Sequence, residues 1–383
     1  MNKRNLAIDI LRGLTMALMV MVNDFWSYPD VPHFLEHFAT FEDGMGLSDF
    51  IYPMFLFVMG MSIPYALDRR QEKGKSDWDN LKHILSRTLA LLIMGVFLYN
   101  TEPPMAWNKG IYDVLMIVGF FLVWNAYKPD FKPAKWLKLA GVVLMAALVV
   151  FYRTEDGGLF RTGWWGILGQ IGWAYLFASL SYMLCRKREW LLAVIWGALC
   201  LLNLSVVQMR SGSPLIGHNV VWDFANAIHI GDGHIAIMAL GGVLTVLAER
   251  KLKSRKALAG FAMAAVLAFM AFAVHQGWII SKNLGTLTWC LYASATSVAL
   301  YTLFRVLEKH SITSWAKPLG PAGTATLTVY MLPYLYTSLW YFFDMTPPAW
   351  LYGWVGVLKS ALLSAVCIFL TWCLGKLGIK LKI

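Results

Sequence analysis

The stretch Val22–Gly44, VNDFWSYPDVPHFLEHFATFEDG, carries two histidines, five acids and no lysine or arginine. His33 and His37 stand four residues apart, a spacing that puts two imidazoles on one face if the segment is helical. HFLEH superficially resembles the HExxH zinc site. Its glutamate, Glu36, immediately precedes the second histidine instead of following the first, so the zinc geometry is not reproduced and no metal is expected. Two uses remain open: interfacial or capping histidines, and a base or nucleophile in group transfer. Imidazole exchanges a proton near neutral pH, which suits the second use.

The elements that must hold this loop are membrane helices. The chain has 383 residues, 58% hydrophobic and 15% aromatic, and only 14% charged. A soluble domain is usually about a quarter charged. Apolar runs long enough to cross a hydrocarbon core of about 30 Å recur along the whole chain. They predict an all-α polytopic membrane protein with about twelve spans: 5–25, 47–67, 84–100, 111–127, 136–152, 166–185, 190–207, 234–249, 257–274, 285–304, 320–341 and 354–374. Asp9 and Arg12 interrupt the start of the first run and no small-residue cleavage site follows it, so it is expected to stay as a helix. The five cysteines lie in or beside apolar segments with no CxxC, which predicts small buried hydrophobes. No linker, low-complexity tract or evident repeat divides the chain, and residues 1–383 read as one transmembrane domain.

The net charge of +11 is distributed by topology. With the N-terminus in the cytoplasm, every lysine and arginine falls on the inner side except Lys109, Arg153, Arg161, Arg210 and Lys282 outside and Lys359 inside the last span. That asymmetry predicts both termini in the cytoplasm and multi-pass insertion in the cell inner membrane. It marks contact with the lipid bilayer and does not call for nucleic acid. The histidines sort oppositely: His33, His37, His218, His229, His234 and His275 fall outside. The two long outer loops, 26–46 and 208–233, therefore hold the candidate chemistry, since loops this long between packed helices are usually functional.

RNLAIDILRGLTMALMVMVND, the histidine-containing loop and LSDFIYPMFLFVMGMSIPYAL together resemble the opening of the heparan-α-glucosaminide N-acetyltransferase family and its bacterial relatives. The family pattern of a basic residue, LD, RG, VN, HA.W.G and aDlvFPfFlFimG is met by Asp9, Arg12, Gly13, Asn23, His37, Gly44, Asp49, Pro53, Phe55, Phe57 and Gly60. SKNLGTLTWCLYASA (Ser281–Ala295) resembles a later family segment, NKNLWSLSYV. GHIAIMALGGVL and GTATLTVYMLPY fall where the family's late helices do. The likeness is specific over residues 4–67, moderate over 233–335 and weak between. The tryptophan of HA.W.G is missing, with Phe41 as its aromatic substitute. Gln170 matches the glutamine of a QR pair whose arginine is lost, and the family core has ten helices rather than twelve.

The resemblance implies a transmembrane acyltransferase that moves an acetyl group from cytoplasmic acetyl-CoA to an amino or hydroxyl group of a sugar outside. The physical logic is separate. CoA carries several negative charges, each costing several kcal/mol or more in hydrocarbon, whereas acetyl is neutral. By resemblance, His37 is the base or acetyl carrier, ahead of His33, and Asn23 is the neutral donor to the acetyl oxygen. Asp49 either orients an imidazole or caps a helix. Asp9 and Arg12 form an i, i+3 salt bridge or contact CoA phosphate. His33, Glu36, Trp26 and His234 are candidates for binding an amino sugar acceptor. A homodimer is compatible with the sequence. The alternative is a secondary transporter, for which twelve spans is a common count. Few charges within the spans, no evident broken midplane helix and polar chemistry gathered at one face speak against it. A sugar-sensing scaffold has no positive support in the sequence.

Overall fold

The computed structural model describes residues 5–26, 28–164, 166–228 and 230–383. Ser27 and His229 of the two long loops, Trp165 and the first four residues lie outside them. The described residues form fourteen α-helices: α1 (Leu6–Phe25), α2 (Leu47–Glu72), α3 (Asp77–Tyr99), α4 (Lys109–Trp124), α5 (Ala134–Phe151), α6 (Ile167–Cys185), α7 (Trp190–Val206), α8 (Val220–Ala227), α9 (His234–Lys251), α10 (Lys256–His275), α11 (Leu287–Lys309), α12 (Gly320–Thr324), α13 (Thr326–Phe342) and α14 (Trp354–Lys376).

Each of the twelve predicted spans coincides with helical structure. Eight helices have both the length and the apolarity to cross a membrane: α1, α2, α3, α5, α6, α10, α11 and α14. This is a multi-pass membrane protein. α4, α7 and α13 have 16 or 17 residues, and α9 ends on charged Glu249, Arg250 and Lys251. Two features depart from the sequence reading. The predicted span 320–341 is divided at Ala325, whose backbone (φ −131°, ψ 46°) leaves the helical region between α12 and α13. Gly320, Pro321 and Gly323 make the segment before that break a poor helix former. The loop 208–233 is not wholly irregular: Asn219 accepts from the amides of Val221 and Trp222 and starts α8.

The helices group into two compact units. The first comprises the described residues up to Thr15, Pro32–Leu89 and Gln170–Lys317. Here α2 packs on α9 and α11, α7 on α9, and α10 on α11. The α2–α9 contact depends on absent side chains. A β-carbon at Gly60 would stand 1.9 Å from the Ala239 carbonyl oxygen, and one at Gly242 2.0 Å from that of Phe57. Small residues let membrane helices approach backbone to backbone, where dispersion replaces the missing hydrophobic drive. At one end of this unit Asp68 pairs with Arg250 at 2.6 Å, and Glu249 with Arg305 at 3.2 Å. From Asp49 to Asp68 is nineteen residues of α2, about 29 Å at 1.5 Å per residue. That is the thickness of a hydrocarbon core, about 30 Å.

The second unit comprises Met16–Val31, Ala90–Gly169 and Pro318–Ile383. α4 packs between α5 and α13, and α13 and α12 pack on α14. Lys359 lies in the body of α14. The ammonium meets the two Asp24 oxygens at 2.7 and 2.8 Å and the Tyr28 hydroxyl at 2.8 Å, while Ser360 donates to Asp24 at 2.5 Å. The Tyr336 ring lies 4.3 Å from the ammonium. A charge inside a membrane helix is tolerated when it is paired in this way.

Candidate active site

Gly46 caps the start of α2, which makes Asp49 the third helical residue. Asp49 Oδ2 accepts from the Gly46 and Phe38 amides, both at 3.1 Å. Its other oxygen is thereby left to face His37, and Oδ1 lies 2.7 Å from His37 Nδ1. The two roles considered for Asp49, cap and orienter, are filled together, one by each oxygen. The Asp49 side chain is 2% exposed. The Trp289 indole donates to its backbone carbonyl at 3.0 Å, and Ser48 Oγ donates to the Leu35 carbonyl at 2.5 Å. The loop is thus fastened to α2 on both sides of the histidine.

A carboxylate at Nδ1 fixes the tautomer: Nδ1–H donates to Asp49 and Nε2 keeps its lone pair. Lys282 Nζ sits 3.1 Å from Nδ1 and 3.3 Å from Nε2. Nearly equal distances put the ammonium over the ring face, because an in-plane approach between the two nitrogens would collide with Cε1. The in-plane lone pair of Nε2 is not taken up by Lys282, and no other described residue bonds it. Lys282 also lies 3.9 Å from Asp49. Burial pushes its ammonium below the ordinary lysine value, with the Asp49 charge opposing in part.

The two histidines do not share a helix face. Pro32 starts only a 3-10 turn, His33–Leu35, and Glu36 is already extended. His33 turns away to Glu42 at 2.7 Å and stacks on Phe38 with ring centroids 4.3 Å apart. The Glu42 hydrogen bond raises the exposed His33 above the ordinary histidine value. Glu42 is lowered in turn, first by the Ala39 amide and then by His33. Glu36 remains 3.8 Å from His33. The shared face that the i, i+4 spacing would give in a helix is not formed, because the 3-10 turn ends at Leu35 and Glu36 is extended before His37 reaches Asp49.

Around this pair the loop is locked to distant segments of the first unit. Asp43 accepts from Arg210, from His275 Nε2 at 2.8 Å and from the Ile280 amide at 2.9 Å. Burial alone would raise the Asp43 carboxyl, but the Ile280 amide, His275 and Arg210 outweigh it and hold it below the usual carboxylate range. Ser281 donates to the Thr40 carbonyl at 2.7 Å. A second histidine–carboxylate pair, His234 Nδ1 with Asp232, lies at the start of α9. Asn203 donates to the backbone carbonyls of Asp232 at 3.0 Å and Gly285 at 2.8 Å. Gly285 is required there: its φ is +62°, and a β-carbon would stand 2.6 Å from Asp232 Oδ2. The His234 and Trp289 rings are 6.0 Å apart.

The first unit thus brings together His37, Asp49, His33 and Glu36, with His234 reached through Trp289. Arg12 is in the same unit and pairs with Asp9 at 3.3 Å, as the i, i+3 spacing predicts, and it also donates to Ser62 Oγ at 2.5 Å. Asn23 and Trp26 belong to the second unit, where both are exposed and Asn23 occupies the last turn of α1, next to Asp24. Lys282, Asp232 and the Arg210 and His275 partners of Asp43 carry no assigned role in the sequence reading, whereas Asp43 is one of the loop acids that could attract a cationic amino sugar. Lys282 had a signal: it is one of five outer cations and stands in the SKNLG segment.

A family model described as a domain of unknown function (DUF5009) matches residues 4–231. The heparan-alpha-glucosaminide N-acetyltransferase of Mus musculus is 29% identical over 109 residues, covering 27% of this chain and 15% of the relative. That of Homo sapiens is 28% identical over 110 residues, with the same shares. The chain therefore matches about one seventh of the length of these curated relatives.

Proposed function

The chain belongs to the DUF5009 family, and we propose that it is a transmembrane acyltransferase that moves an acetyl group from cytoplasmic acetyl-CoA to an amino or hydroxyl group of a sugar on the extracytoplasmic side. The observation that carries this reading is the buried Asp49 carboxylate at 2.7 Å from His37 Nδ1, with a lysine over the ring. The similarity to N-acetyltransferases supports it. We take all twelve spans as crossings, both termini in the cytoplasm and the inner membrane as the location, on the strength of the lysine and arginine asymmetry.

In this reading CoA binds at the arginine-rich end of the first unit, with Arg12 and the inner-loop cations at its phosphates. The sugar binds at the His37 end, where Glu36, His33 and His234 are its candidate contacts, and Trp26 keeps its sugar-binding role on the sequence reading alone. The acceptor nitrogen or oxygen attacks the acetyl carbonyl carbon while its proton passes to His37 Nε2. Asp49 stabilises the imidazolium that forms. Asn23, on the strength of the resemblance, donates to the carbonyl oxygen as it gains charge, and the Lys282 ammonium offsets that charge. The C–S bond breaks, the electron pair leaves on the CoA sulfur, and His37 returns the proton there. Thioester and amine (or alcohol) become amide (or ester) and free thiol.

The test uses purified protein with acetyl-radiolabelled CoA and a panel of amino sugars. Label transferred to sugar with one equivalent of free thiol, and neither with His37→Ala, supports the reading. Sugar uptake into proteoliposomes without thiol release would replace it with a carrier.

A further inference from the structure

The helix α8 presents a face that the proposed chemistry does not use. At 100° per residue, Val220, Phe224, Ile228 and Val221 fall within an arc of about 100°, while Asp223 and Asn226 lie on the other side. The arc is bare: Val220 is 83%, Val221 64% and Phe224 66% exposed. Leu215 and Ile216, just before the helix, are 59% and 71% exposed. On the protein side the helix buries Ala225, whose carbonyl accepts from Ile230 and Gly231.

Two tethers fix its depth. Before α8, the amides of Ile216 and Gly217 donate to the Ser205 carbonyl at 3.0 and 3.3 Å. After it, Asn203 holds the Asp232 carbonyl, and a β-carbon at Gly233 would lie 3.4 Å from the Leu199 carbonyl oxygen. Both tethers fall on α7 between Leu199 and Ser205, a rise of about 9 Å along its axis. α8 is therefore held beside the last turns of α7. Trp278 donates its indole N–H to the Val207 carbonyl at this same level, at 3.2 Å. Tryptophan is enriched where headgroups meet acyl chains.

We infer that α8 is an interfacial helix, its Val220–Val221–Phe224–Ile228 face embedded in the outer leaflet of the bilayer. An amphipathic helix in a membrane surface buries its apolar side about 5–10 Å into the headgroup–acyl boundary, and the tethers hold α8 at the end of an apolar helix where that boundary falls if α7 crosses. The assignment rests on reading α7 as a membrane crossing with its C-terminal end outside, but not on acyl transfer. A lipid surface fits better than a soluble protein because the same polypeptide stretch is anchored to a span at both ends. Asp223 and Asn226 turn away from the apolar arc.

The test is lipid contact, read independently of catalysis. In a background with the two unburied cysteines replaced (Cys185→Ser, Cys373→Ser), an environment-sensitive fluorophore is placed by Val221→Cys or Asp223→Cys in phospholipid nanodiscs. Spin-labelled phospholipid carrying its nitroxide near the headgroup is expected to quench the Val221 probe at least about twofold more than the Asp223 probe, with aqueous iodide showing the reverse order. Equal quenching by lipid at the two sites overturns the assignment. So does a Val221 probe open to iodide. Protection of Val221 that is lost on diluting the protein overturns it in favour of a second copy, and failed acetyl transfer with the expected quenching leaves it standing.

Discussion

Asp49 divides its two carboxylate oxygens between backbone and histidine: Oδ2 takes the Gly46 and Phe38 amides, and Oδ1 stands 2.7 Å from His37 Nδ1. The oxygen used for capping holds the carboxylate plane, so the other oxygen has one place to point. Helix initiation and imidazole orientation are set by one side chain.

Asp49→Asn keeps the shape but can donate to Nδ1, which favours the wrong tautomer. Acetyl transfer should fall by about 10²–10⁴, with CoA affinity unchanged, as measured by thiol release beside equilibrium binding. His37→Ala should fall at least as far. His33→Ala should keep kcat near normal, with any loss confined to the KM for the sugar, because His33 is bonded to Glu42 and turned from Asp49; loss of kcat in His33→Ala alone would transfer the role to His33.

Lys282→Met should lower kcat by about 10²-fold with little change in KM for acetyl-CoA, as loss of one charge facing the transition state does. The pH profile supplies an independent reading. Burial depresses the Lys282 ammonium, so it loses its proton at lower pH than a free lysine at about 10.4. Activity that needs the cation should decline on the alkaline side below that value. In Lys282→Arg the remaining activity should persist to higher pH, since guanidinium stays charged.

The lowered Asp43 carboxyl predicts an acid limb in stability. Its folded value lies below its unfolded one, so its contribution is full above the ordinary carboxylate range, near pH 4, and fades as pH falls through the lowered value. The melting temperature of the wild type should fall below about pH 4. In Asp43→Asn that part of the pH dependence should disappear, leaving a lower and flatter melting temperature.

Gly242→Leu should destabilise the first unit by at least about 1–3 kcal/mol, the usual range for overpacking, because the facing atom is backbone and cannot rotate away. Gly197→Leu is the control: a β-carbon there meets nothing within 4 Å. Equal melting temperatures in the two variants would show that the α2–α9 contact is looser than the geometry states.

The helices were legible because apolar length is a strong signal, and every predicted span coincides with helical structure. The Asp9–Arg12 pair was legible because both partners lie on one helical face. What escaped was set by long-range packing. No local rule joins Lys282 to His37 across 245 residues or Asp43 to Arg210 across 167. The i, i+4 spacing of His33 and His37 gives a shared face only where a helix forms, and here the 3-10 turn ends at Leu35 and Glu36 is extended. α8 was hidden inside a loop whose Gly, Ser and Pro content masks an eight-residue pattern.

The Asp24–Lys359 pair joins residues 335 positions apart. A ribosome adding about 5–20 residues per second needs roughly 20–70 s to cover that interval. Throughout it α1 is in place before α14, which later inserts with a lysine that has the Asp24 carboxylate to meet. Insertion of that last charged span is therefore coupled to the survival of the first, because the lysine of α14 enters a membrane that already holds its carboxylate.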